Sequence, residues 1–337
     1  MKATIFSDAD KNRVPLHKVV PLDTPFMVSI EACSSCNLKC AYCFQSLNKD
    51  GLSEKGYDFS HMDMDVFSEI VKQLEKFPQR VKTVLFSGNG EPTLHQNLPL
   101  MIEILHKADV AEKIEMHTNG LLLSPKLSDA LINAGLTGIK ISVNGLSGDD
   151  YLEHCGVKIN FEDFLRELGY FYGNRQTCDM RIKILDVVLK NRDEEYFKVF
   201  GDICDKIMIE HAIKRQPLAL YGNDIGFHSD LEYGPIYFDE TKEVKICNKP
   251  FRTMTVWANG KGDICGNAVN PCAVFFDAPE LFQVWNSKAH RNLMLYGLKT
   301  ELDAKSCKAC QCLQAFAFDE NNLDHHADEI AERVIML

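Results

Sequence analysis

The chain has 337 residues, 45% of them hydrophobic and 25% charged, which is long enough for one large domain and a smaller one. Lysine and arginine total 37 against 48 aspartates and glutamates, and the net charge of -11 argues against a protein held electrostatically to nucleic acid or membranes. No run reaches the roughly 18 apolar residues of a spanning helix, and the N-terminus lacks a signal-peptide core, so we expect a cytoplasmic protein. In that reducing compartment its 13 cysteines indicate metal ligands or buried residues rather than disulfides.

Short β-rich runs alternate with amphipathic stretches from residue 26 to about residue 212, which predicts βα units around a parallel sheet. The six predicted strands cover 26–32, 83–88, 113–118, 138–143, 180–189 and 206–212. Helical patterns cover 64–77, 98–108 and 124–135, the last with Ser124 as N-cap, Pro125 at the first position and Gly135 at its end. Six units are too few for a closed eight-stranded barrel, so we predict an α/β fold, a partial (β/α)6 TIM barrel, with functional residues at the carboxyl ends of the strands.

The last third of the chain has a different pattern. Residues 213–246 lose the βα rhythm and are interpreted as a connector, and residues 255–264 predict a β-hairpin with Asn259-Gly260 at its turn. A helical pattern follows at 280–297. Six cysteines surround these elements, namely Cys247, Cys265, Cys272, Cys307, Cys310 and Cys312. We therefore predict two domains, 1–225 for the barrel and 226–337 for a small metal-dependent module.

Four cysteines lie close together directly after the first predicted strand: Cys33, Cys36, Cys40 and Cys43. A structural zinc site usually takes two cysteine pairs separated by a longer loop, whereas CxxxCxxC supplies three thiolates on one loop. Three protein ligands suit an iron–sulfur cubane whose fourth iron stays open. The alternatives are a zinc site and plain packing of the thiols. Cys33 lies outside the triplet and is interpreted as a small residue at the end of the first strand.

The segment IEACSSCNLKCAYC resembles the cluster loop of radical S-adenosylmethionine (SAM) enzymes, whose signature is CxxxCxxC with an aromatic residue before the third cysteine. The matching residues are Cys36, Cys40, Tyr42 and Cys43. The resemblance implies a [4Fe–4S] cluster on the three thiolates, with SAM chelating the fourth iron. It also implies an electron donor such as flavodoxin or ferredoxin.

A glycine-containing loop, Ser87-Gly-Asn-Gly-Glu-Pro-Thr93, follows the second predicted strand. Glycines let the backbone approach a ligand closely, and a carboxylate such as that of Glu91 can accept a hydrogen bond from an ammonium group. The loop resembles the GGEP motif of the same family, with Asn89 in place of one glycine. The resemblance implies that the methionyl amino group of SAM is bound by Gly88, Asn89, Gly90 and Glu91.

Weaker resemblances follow at later strand ends. His117, Ser142 and Asn144 resemble positions that contact the ribose and carboxylate of SAM, and residues 187–189 resemble the strand that borders adenine. Polar residues at such positions are also ordinary turn formers.

The C-terminal cysteines resemble those of SPASM and the shorter twitch modules, together with the helix segment Val284-Trp-Asn-Ser287. The resemblance implies a twitch-like module with one auxiliary [4Fe–4S] cluster on Cys247, Cys265, Cys307 and Cys310. Cys272 and Cys312 are candidate substitutes or extra ligands, and a structural zinc ion is the alternative. The remaining cysteines, Cys155, Cys178 and Cys204, are interpreted as packed core or surface residues.

The family chemistry implied is reductive cleavage of SAM to a 5′-deoxyadenosyl radical, which removes a hydrogen atom from a substrate. With one auxiliary cluster and only a short segment before the first strand, we expect a small-molecule substrate that is dehydrogenated or epimerised, such as a sugar or aminocyclitol. The alternatives are a maturase of ribosomal peptides and a non-catalytic iron–sulfur or zinc scaffold. No acid, base or hydrogen donor can be assigned, and the candidates by position alone are His211, Tyr221, Arg252 and Cys272.

Overall fold

The structure is a computed structural model, and it describes residues 1–5, 14–46, 49–54, 57–210, 244–265, 273–299 and 318–337. Across those ranges no helix combines the length and apolar character that crossing a bilayer demands.

A single ten-stranded sheet organises the chain, in the spatial order β1-β7-β6-β5-β4-β3-β2-β8-β9-β10. The strands are β1 Thr4–Ile5, β2 Met27–Ile30, β3 Val81–Phe86, β4 Ala111–Thr118, β5 Gly138–Ser142, β6 Asp179–Leu185, β7 Lys206–Glu210, β8 Thr253–Val256, β9 Lys261–Asp263 and β10 Phe275–Asp277. Strands β2 to β7 are neighbours in chain order and all parallel. This is the predicted partial (β/α)6 barrel, and the six predicted strands are all present.

The two edges of the six-stranded unit are extended by segments from both ends of the chain. Strand β1 pairs in parallel with β7, and β8 pairs in parallel with β2, with Met27 opposite Thr253. Strands β9 and β10 then add in antiparallel fashion. The predicted hairpin is confirmed as β8–β9, and Gly260 at its turn has φ +79, a left-handed conformation that favours glycine.

Eleven α-helices lie within the described residues. They are α1 Lys49–Glu54, α2 Met64–Leu74, α3 Leu98–Ala108, α4 Pro125–Asn133, α5 Gly148–Cys155, α6 Phe161–Asn174, α7 Asp186–Leu189, α8 Asp193–Phe200, α9 Leu281–Trp285, α10 Lys288–Lys299 and α11 Ala327–Ile335. Helix α4 begins as predicted, since Ser124 accepts a hydrogen bond from the Leu127 amide, and it ends before Gly135 with φ +98.

Two of the predicted elements are wrong in part. Residues 180–189 do not form one strand, because β6 ends at Leu185 and residues Asp186–Leu189 form the short helix α7. The helical pattern at 280–297 is interrupted after Trp285, where the Asn286 amide donates to Phe282 and the chain restarts a helix at Lys288. The other strand ends differ from prediction by at most two residues.

Side-chain alternation separates the two faces of the barrel sheet. The apolar residues of the parallel strands belong to one large core with the helices, as in Ile139 and Ile141 of β5 and Ile182 and Ile184 of β6. Their neighbours along the strand, such as Lys140 and Lys183, therefore point to the opposite face, the interior of the barrel. The interior is thus polar where the helix-covered face is apolar.

The C-terminal part of the chain contributes to two cores. Met254, Val256 and Trp285 belong to the large core of the barrel. A second core joins the N-terminal segment around Leu16 to the last helix around Ile330. The predicted boundary between 225 and 226 falls in 211–243, outside the described residues, and stays a prediction.

Candidate functional site

The CxxxCxxC loop follows β2 at the carboxyl end of the sheet and is held by the end of α5. The Lys39 amide donates to the carbonyl of Cys155 at 3.0 Å, and the Ala41 amide donates to the carbonyl of His154 at 2.8 Å. Within the loop the Cys43 amide donates to the carbonyl of Cys40 at 2.8 Å. These backbone hydrogen bonds fix the path of the loop independently of any bound group.

The three thiols of this loop share one partly buried environment. Burial raises the pKa of Cys36 to about 12, and the charges of Cys40 and Cys43 add to the effect. The pKa of Cys40 is also raised, because its thiol donates a hydrogen bond to Cys155 and is itself buried. The Cys36 and Cys40 thiols are therefore protonated at neutral pH, and binding of iron would release their protons.

Whether these thiols fit a cluster can be judged from the donor set. Among the residues that the structure describes, no three His, Cys, Asp or Glu side chains are grouped closely enough to hold one metal ion. A cubane is larger than an ion, so its thiolates stand farther apart. Three thiols on one loop, two of them near enough to raise the pKa of the third, match a cluster with three protein ligands better than a zinc site.

Cys33 is separate from the triplet. Its side chain is buried, and its sulfur lies 3.6 Å from Nε2 of His61, with which it also forms an isolated β-bridge. The structure therefore places Cys33 as a packed residue shortly after β2, which was the first strand predicted from the sequence. Cys178 and Cys204 are buried in the core.

The glycine loop, residues 87–90, packs backbone against backbone on the cluster loop. The Glu91 amide donates to the carbonyl of Ser35 at 2.8 Å. A Cβ at Gly90 would lie 2.5 Å from that same carbonyl oxygen and closer still to the carbonyl of Cys33. Glycine is required at position 90 because the two loops touch, not because of an unusual backbone angle.

Glu91 is bonded within the protein. Its side chain is buried at 2% exposure, and its Oε1 accepts hydrogen bonds from the amide and hydroxyl of Thr93 and from the hydroxyl of Thr118. Its Oε2 accepts from the amide of Asn119 at 2.8 Å. We expected this carboxylate to bind the amino group of SAM, but four donors of the chain already occupy it. In the structure it joins the loops after β3 and β4.

Two hydrogen bonds across the mouth of the barrel join the cluster loop to the later strand ends. The side-chain Nδ2 of Asn119 donates to Oδ1 of Asn37 at 2.7 Å, and the Tyr42 hydroxyl donates to Oδ1 of Asn144. Asn144 also donates to the carbonyl of Ser142 at 3.2 Å. The structure thus brings Tyr42, Ser142 and Asn144 together beside the cysteine triplet.

The remaining weak candidates have different outcomes. His117 lies on the interior face with Nδ1 3.4 Å from the Ser87 hydroxyl, at the edge of the glycine loop. Residues 187–189 form the turn of helix α7 instead of a strand, so the strand assigned to border adenine ends before them. Arg252 lies at the amino end of β8 beside the start of β2, away from the cluster loop. His211 and Tyr221 lie outside the described residues.

A charged group on the interior wall was not identified from the sequence. Lys140 on β5, Lys183 on β6 and Glu210 on β7 converge, with Nζ of Lys140 3.8 Å from Oε1 of Glu210 and Lys183 paired with Oε2. All three side chains are largely buried, and Lys183 is level with Ser142 at the end of β5. In the sequence these residues alternate with apolar ones along the strands. The alternation alone does not show which face of the sheet lines the barrel interior.

Only two of the predicted auxiliary ligands, Cys247 and Cys265, are described. Cys265 follows β9, and its amide donates to Oδ1 of Asp263 at 2.8 Å. Because β9 runs antiparallel to β8, Cys265 lies toward the amino end of β8, the same end that Cys247 precedes. Cys272, Cys307, Cys310 and Cys312 lie outside the described residues.

Glu31 is the other interior residue missed by sequence reasoning. It directly follows β2, is 4% exposed and accepts hydrogen bonds from the amides of Asn89 and Ala258. Burial raises its pKa to about 7, against the lowering effect of those two amides. Its position just before the cysteines was the only sequence signal.

Comparison with known proteins gives a consistent family match. Residues 30–200 match the family model described as the Radical SAM superfamily. A GTP 3',8-cyclase of Chlorobaculum tepidum is 32% identical over 176 residues, which are 52% of this chain and 49% of that protein. A tungsten-containing aldehyde ferredoxin oxidoreductase cofactor-modifying protein of Pyrococcus furiosus is 34% identical over 117 residues, 35% of this chain and 30% of that protein. The aligned region thus spans half or less of these relatives.

Solved structures resemble the chain over most of its length at low identity. Native anSMEcpe with bound AdoMet gives a TM-score of 0.56 at 15% identity and covers 93% of this chain and 97% of that one. BtrN in complex with AdoMet and 2-DOIA gives 0.51 at 17% identity, covering 86% and 92%. SuiB of Streptococcus suis bound to precursor peptide SuiA gives 0.54 at 16% identity, covering 89% and 72%. These similarities support the same barrel fold.

Proposed function

The chain belongs to the radical SAM superfamily, and we propose that it dehydrogenates or epimerises a small hydroxyl-rich molecule such as a sugar or aminocyclitol. Its cofactors are SAM and the [4Fe–4S] cluster of that superfamily. When bound, they supply a 5′-deoxyadenosyl radical that removes a hydrogen atom from a substrate carbon. The proposed cluster ligands are Cys36, Cys40 and Cys43.

The residues around this loop would position SAM and exclude water. The close approach of Gly90 to the cluster loop leaves no room for a side chain between the two backbones. Gly88, Asn89 and Gly90 would present backbone groups to the SAM amino group, while Glu91 holds the loop in place through Thr118 and Asn119. Tyr42 and Asn144 would hold the cluster loop to the end of β5, where Asn144 donates to the carbonyl of Ser142.

The observation that carries the substrate proposal is the charged interior wall. Lys140, Lys183 and Glu210 place two ammonium groups and a carboxylate in one largely buried cluster on the face that lines the barrel. Ammonium groups donate hydrogen bonds and a carboxylate accepts them, so this wall can bind several hydroxyl groups at once. Each ammonium group has three N–H donors and a carboxylate accepts several hydrogen bonds, so the ion pairs leave hydrogen-bonding capacity that an apolar ligand could not meet. The wall therefore favours a polar small molecule.

We further propose that the last third of the chain, residues 226–337, holds one auxiliary [4Fe–4S] cluster on Cys247, Cys265, Cys307 and Cys310. Cys247 and Cys265 flank the same hairpin, which shares the barrel core. A dehydrogenated substrate must lose one electron and one proton after the hydrogen atom. A cluster on these thiolates gives the chain a place for that electron.

The alternative is modification of a ribosomal peptide. SuiB has the same fold and was solved with its precursor peptide, so the fold can accommodate such a partner. The charged wall is the feature that favours the small molecule. In both cases an external electron donor such as flavodoxin or ferredoxin would reduce the first cluster.

The proposal is tested on anaerobically reconstituted protein. It should bind about eight irons and, with dithionite, convert SAM to 5′-deoxyadenosine. A panel of deuterium-labelled sugars, cyclitols and aminocyclitols is then screened for deuterium in the 5′-deoxyadenosine. Zinc without SAM cleavage would contradict the enzymatic assignment. Transfer from labelled peptides but from no hydroxyl-rich molecule would replace the substrate class with the alternative.

Lys183→Met tests the role of the interior wall. It should raise the KM of the labelled substrate at least about tenfold, since a charged hydrogen bond is worth about 1.5 to 3 kcal/mol, while SAM cleavage without substrate continues. Lys72→Met on the exposed face of α2 is the matched control and should change neither the KM of the substrate nor SAM cleavage. Equal KM values in the two variants would show that the interior wall does not bind the substrate.

A further inference from the structure

The carboxylate of Glu31 connects two loops that are far apart in the sequence. Its Oε1 accepts a hydrogen bond from the amide of Asn89, in the glycine loop, at 2.6 Å. Its Oε2 accepts from the amide of Ala258, at the turn of the β8–β9 hairpin, at 3.2 Å. One rigid side-chain group therefore sets the position of both backbones.

The space for this carboxylate is created by a glycine. A Cβ at Gly88 would lie 2.6 Å from Cγ and Oε1 of Glu31, so any larger residue at 88 would displace the Glu31 side chain. Glu31 is almost completely buried, and in a low-dielectric interior a carboxylate with fixed amide donors is held more tightly than at the surface. A shift of the glycine loop is then transmitted to the carboxylate.

Ala258 is joined by its peptide bond to Trp257, and further hydrogen bonds run from Trp257 along the hairpin. The neighbouring residue Trp257 donates from Nε1 to Oδ2 of Asp263 at 2.8 Å, and Oδ1 of the same aspartate accepts from the amide of Cys265 at 2.8 Å. Asp263 is fully buried. A continuous path therefore runs from Asn89 through Glu31 and Asp263 to Cys265, over the length of the hairpin.

We propose that Glu31 is a positioning residue that couples SAM binding at the glycine loop to the ordering of the hairpin that carries Cys265. The inference rests on the proposed function, because it takes the glycine loop to be a SAM contact. A ligand that fixes Asn89 fixes one oxygen of Glu31, and the other oxygen then holds Ala258 in a narrower range of positions. Coupling of this kind is reciprocal, so the hairpin also affects SAM affinity.

Hydrogen exchange detected by mass spectrometry tests the coupling directly. In the anaerobically reconstituted wild-type protein, saturating SAM should slow amide exchange of the peptide that covers 87–90 and, at least about fivefold, of the peptide that covers 257–260. In Glu31→Gln only the first peptide should respond, because an NH2 donor replaces one of the two oxygens and cannot accept the N–H group that it faces. Glu115→Gln changes another interior carboxylate, one paired with Arg181, and should preserve both responses.

The possible outcomes separate this inference from the proposed function. If SAM slows exchange at 87–90 but not at 257–260 in the wild type, the coupling is wrong and the SAM site stands. If neither peptide responds, the SAM site itself is wrong. Gly88→Ala provides a second variant should Glu31→Gln fail to fold, because its Cβ displaces the same carboxylate. Since Gly88 is also a proposed SAM contact, the variant's response at 257–260 is compared at SAM concentrations that still slow exchange at 87–90. A response at 257–260 that survives in the folded variant would also overturn the coupling.

The effect of the hairpin on SAM affinity gives a second measurement. Equilibrium dialysis with labelled SAM should show affinity weakened about fivefold or more in Glu31→Gln and unchanged in Glu115→Gln. Asp263→Asn removes an acceptor farther along the path without touching the glycine loop, and it should weaken SAM binding in the same direction. Unchanged SAM affinity in both Glu31→Gln and Asp263→Asn would overturn the reciprocal effect.

Discussion

The thiol of Cys40 points at the thiol of Cys155, with the two sulfur atoms 3.5 Å apart. Cys155 ends helix α5 and is buried, and its carbonyl also receives the Lys39 amide of the cluster loop. A proposed cluster ligand therefore has the thiol of a cysteine on another element as a hydrogen-bond partner.

We predict that oxidation of the cluster-free protein joins Cys40 to Cys155. Diamide would accept the two electrons and two protons that the thiols lose, and a disulfide would remove one of the three cluster ligands. After diamide treatment the wild-type protein should take up about half of its iron on reconstitution, whereas Cys155→Ala should retain most of it. Peptide mapping should identify the linked pair. A disulfide between Cys36 and Cys43, with none to Cys155, would contradict the prediction.

Glu91 should be more important for folding than for contact with a ligand. Glu91→Gln places an NH2 group against donors from Thr93, Thr118 and Asn119, so at least one buried donor loses its acceptor. We expect a loss of about 3 kcal/mol in the free energy of unfolding, measured by urea denaturation of the cluster-free protein.

Glu103→Gln on the exposed side of α3 is the control for that measurement. Its carboxylate pairs with Lys107 near the surface, and such pairs contribute about 0 to 1 kcal/mol. Equal losses of stability in the two variants would show that the four hydrogen bonds of Glu91 do not stabilise the fold.

Gly90→Ala should prevent the two site loops from packing together. The added Cβ would meet the carbonyl oxygens of Cys33 and Ser35, which are backbone atoms and cannot turn aside. We expect both iron uptake and SAM binding to fall at least about tenfold, measured by iron analysis and equilibrium dialysis. Gly169→Ala on α6 is a matched control with no atom within 4 Å of the new Cβ, and it should stabilise the protein by about 0.5 to 1 kcal/mol.

Glu31 should make stability depend on pH. Burial raises its pKa from the ordinary 4.5 to about 7, so the folded protein holds a proton that the unfolded chain releases between these values. Its contribution is complete below pH 4.5 and is lost as the pH rises through 7, by about 3 kcal/mol. The stability advantage of the wild type over Glu31→Gln should therefore shrink over that interval in urea titrations. A constant difference from pH 4 to pH 8 would contradict the raised pKa.

The local elements of this fold were predictable because their signals are local. Helix α3 occupies the predicted 98–108, and Ser124 caps α4 as its side chain and Pro125 indicated. The error at 187–189 has a physical reason: the β-branched Val187 and Val188 have strong strand propensity, but the chain turns after Leu185 and Lys190 adopts a left-handed conformation. Tertiary context overrides the propensity there.

The candidate site was predictable in its backbone and less so in its side-chain roles. The triplet and the glycine loop were placed at neighbouring strand ends, and the structure has them in contact through Glu91 and Ser35. The hydrogen-bond partners of the two carboxylates could not be predicted from the sequence. Glu91 accepts hydrogen bonds from residues about 27 positions away, and Glu31 accepts one from a residue 227 positions away. Only the folded sheet brings such pairs together.

The pairing of β8 with β2 has a consequence for how the protein can be dissected. Strand β2, which leads into the CxxxCxxC loop, has β3 on one side and β8 on the other. A fragment ending at residue 225 would leave the β8 side of β2 as an open sheet edge with unpaired N–H and C=O groups, a template for aggregation. The barrel half of this protein is therefore a poor unit for expression, because its strand β2 is completed by residues from the other half.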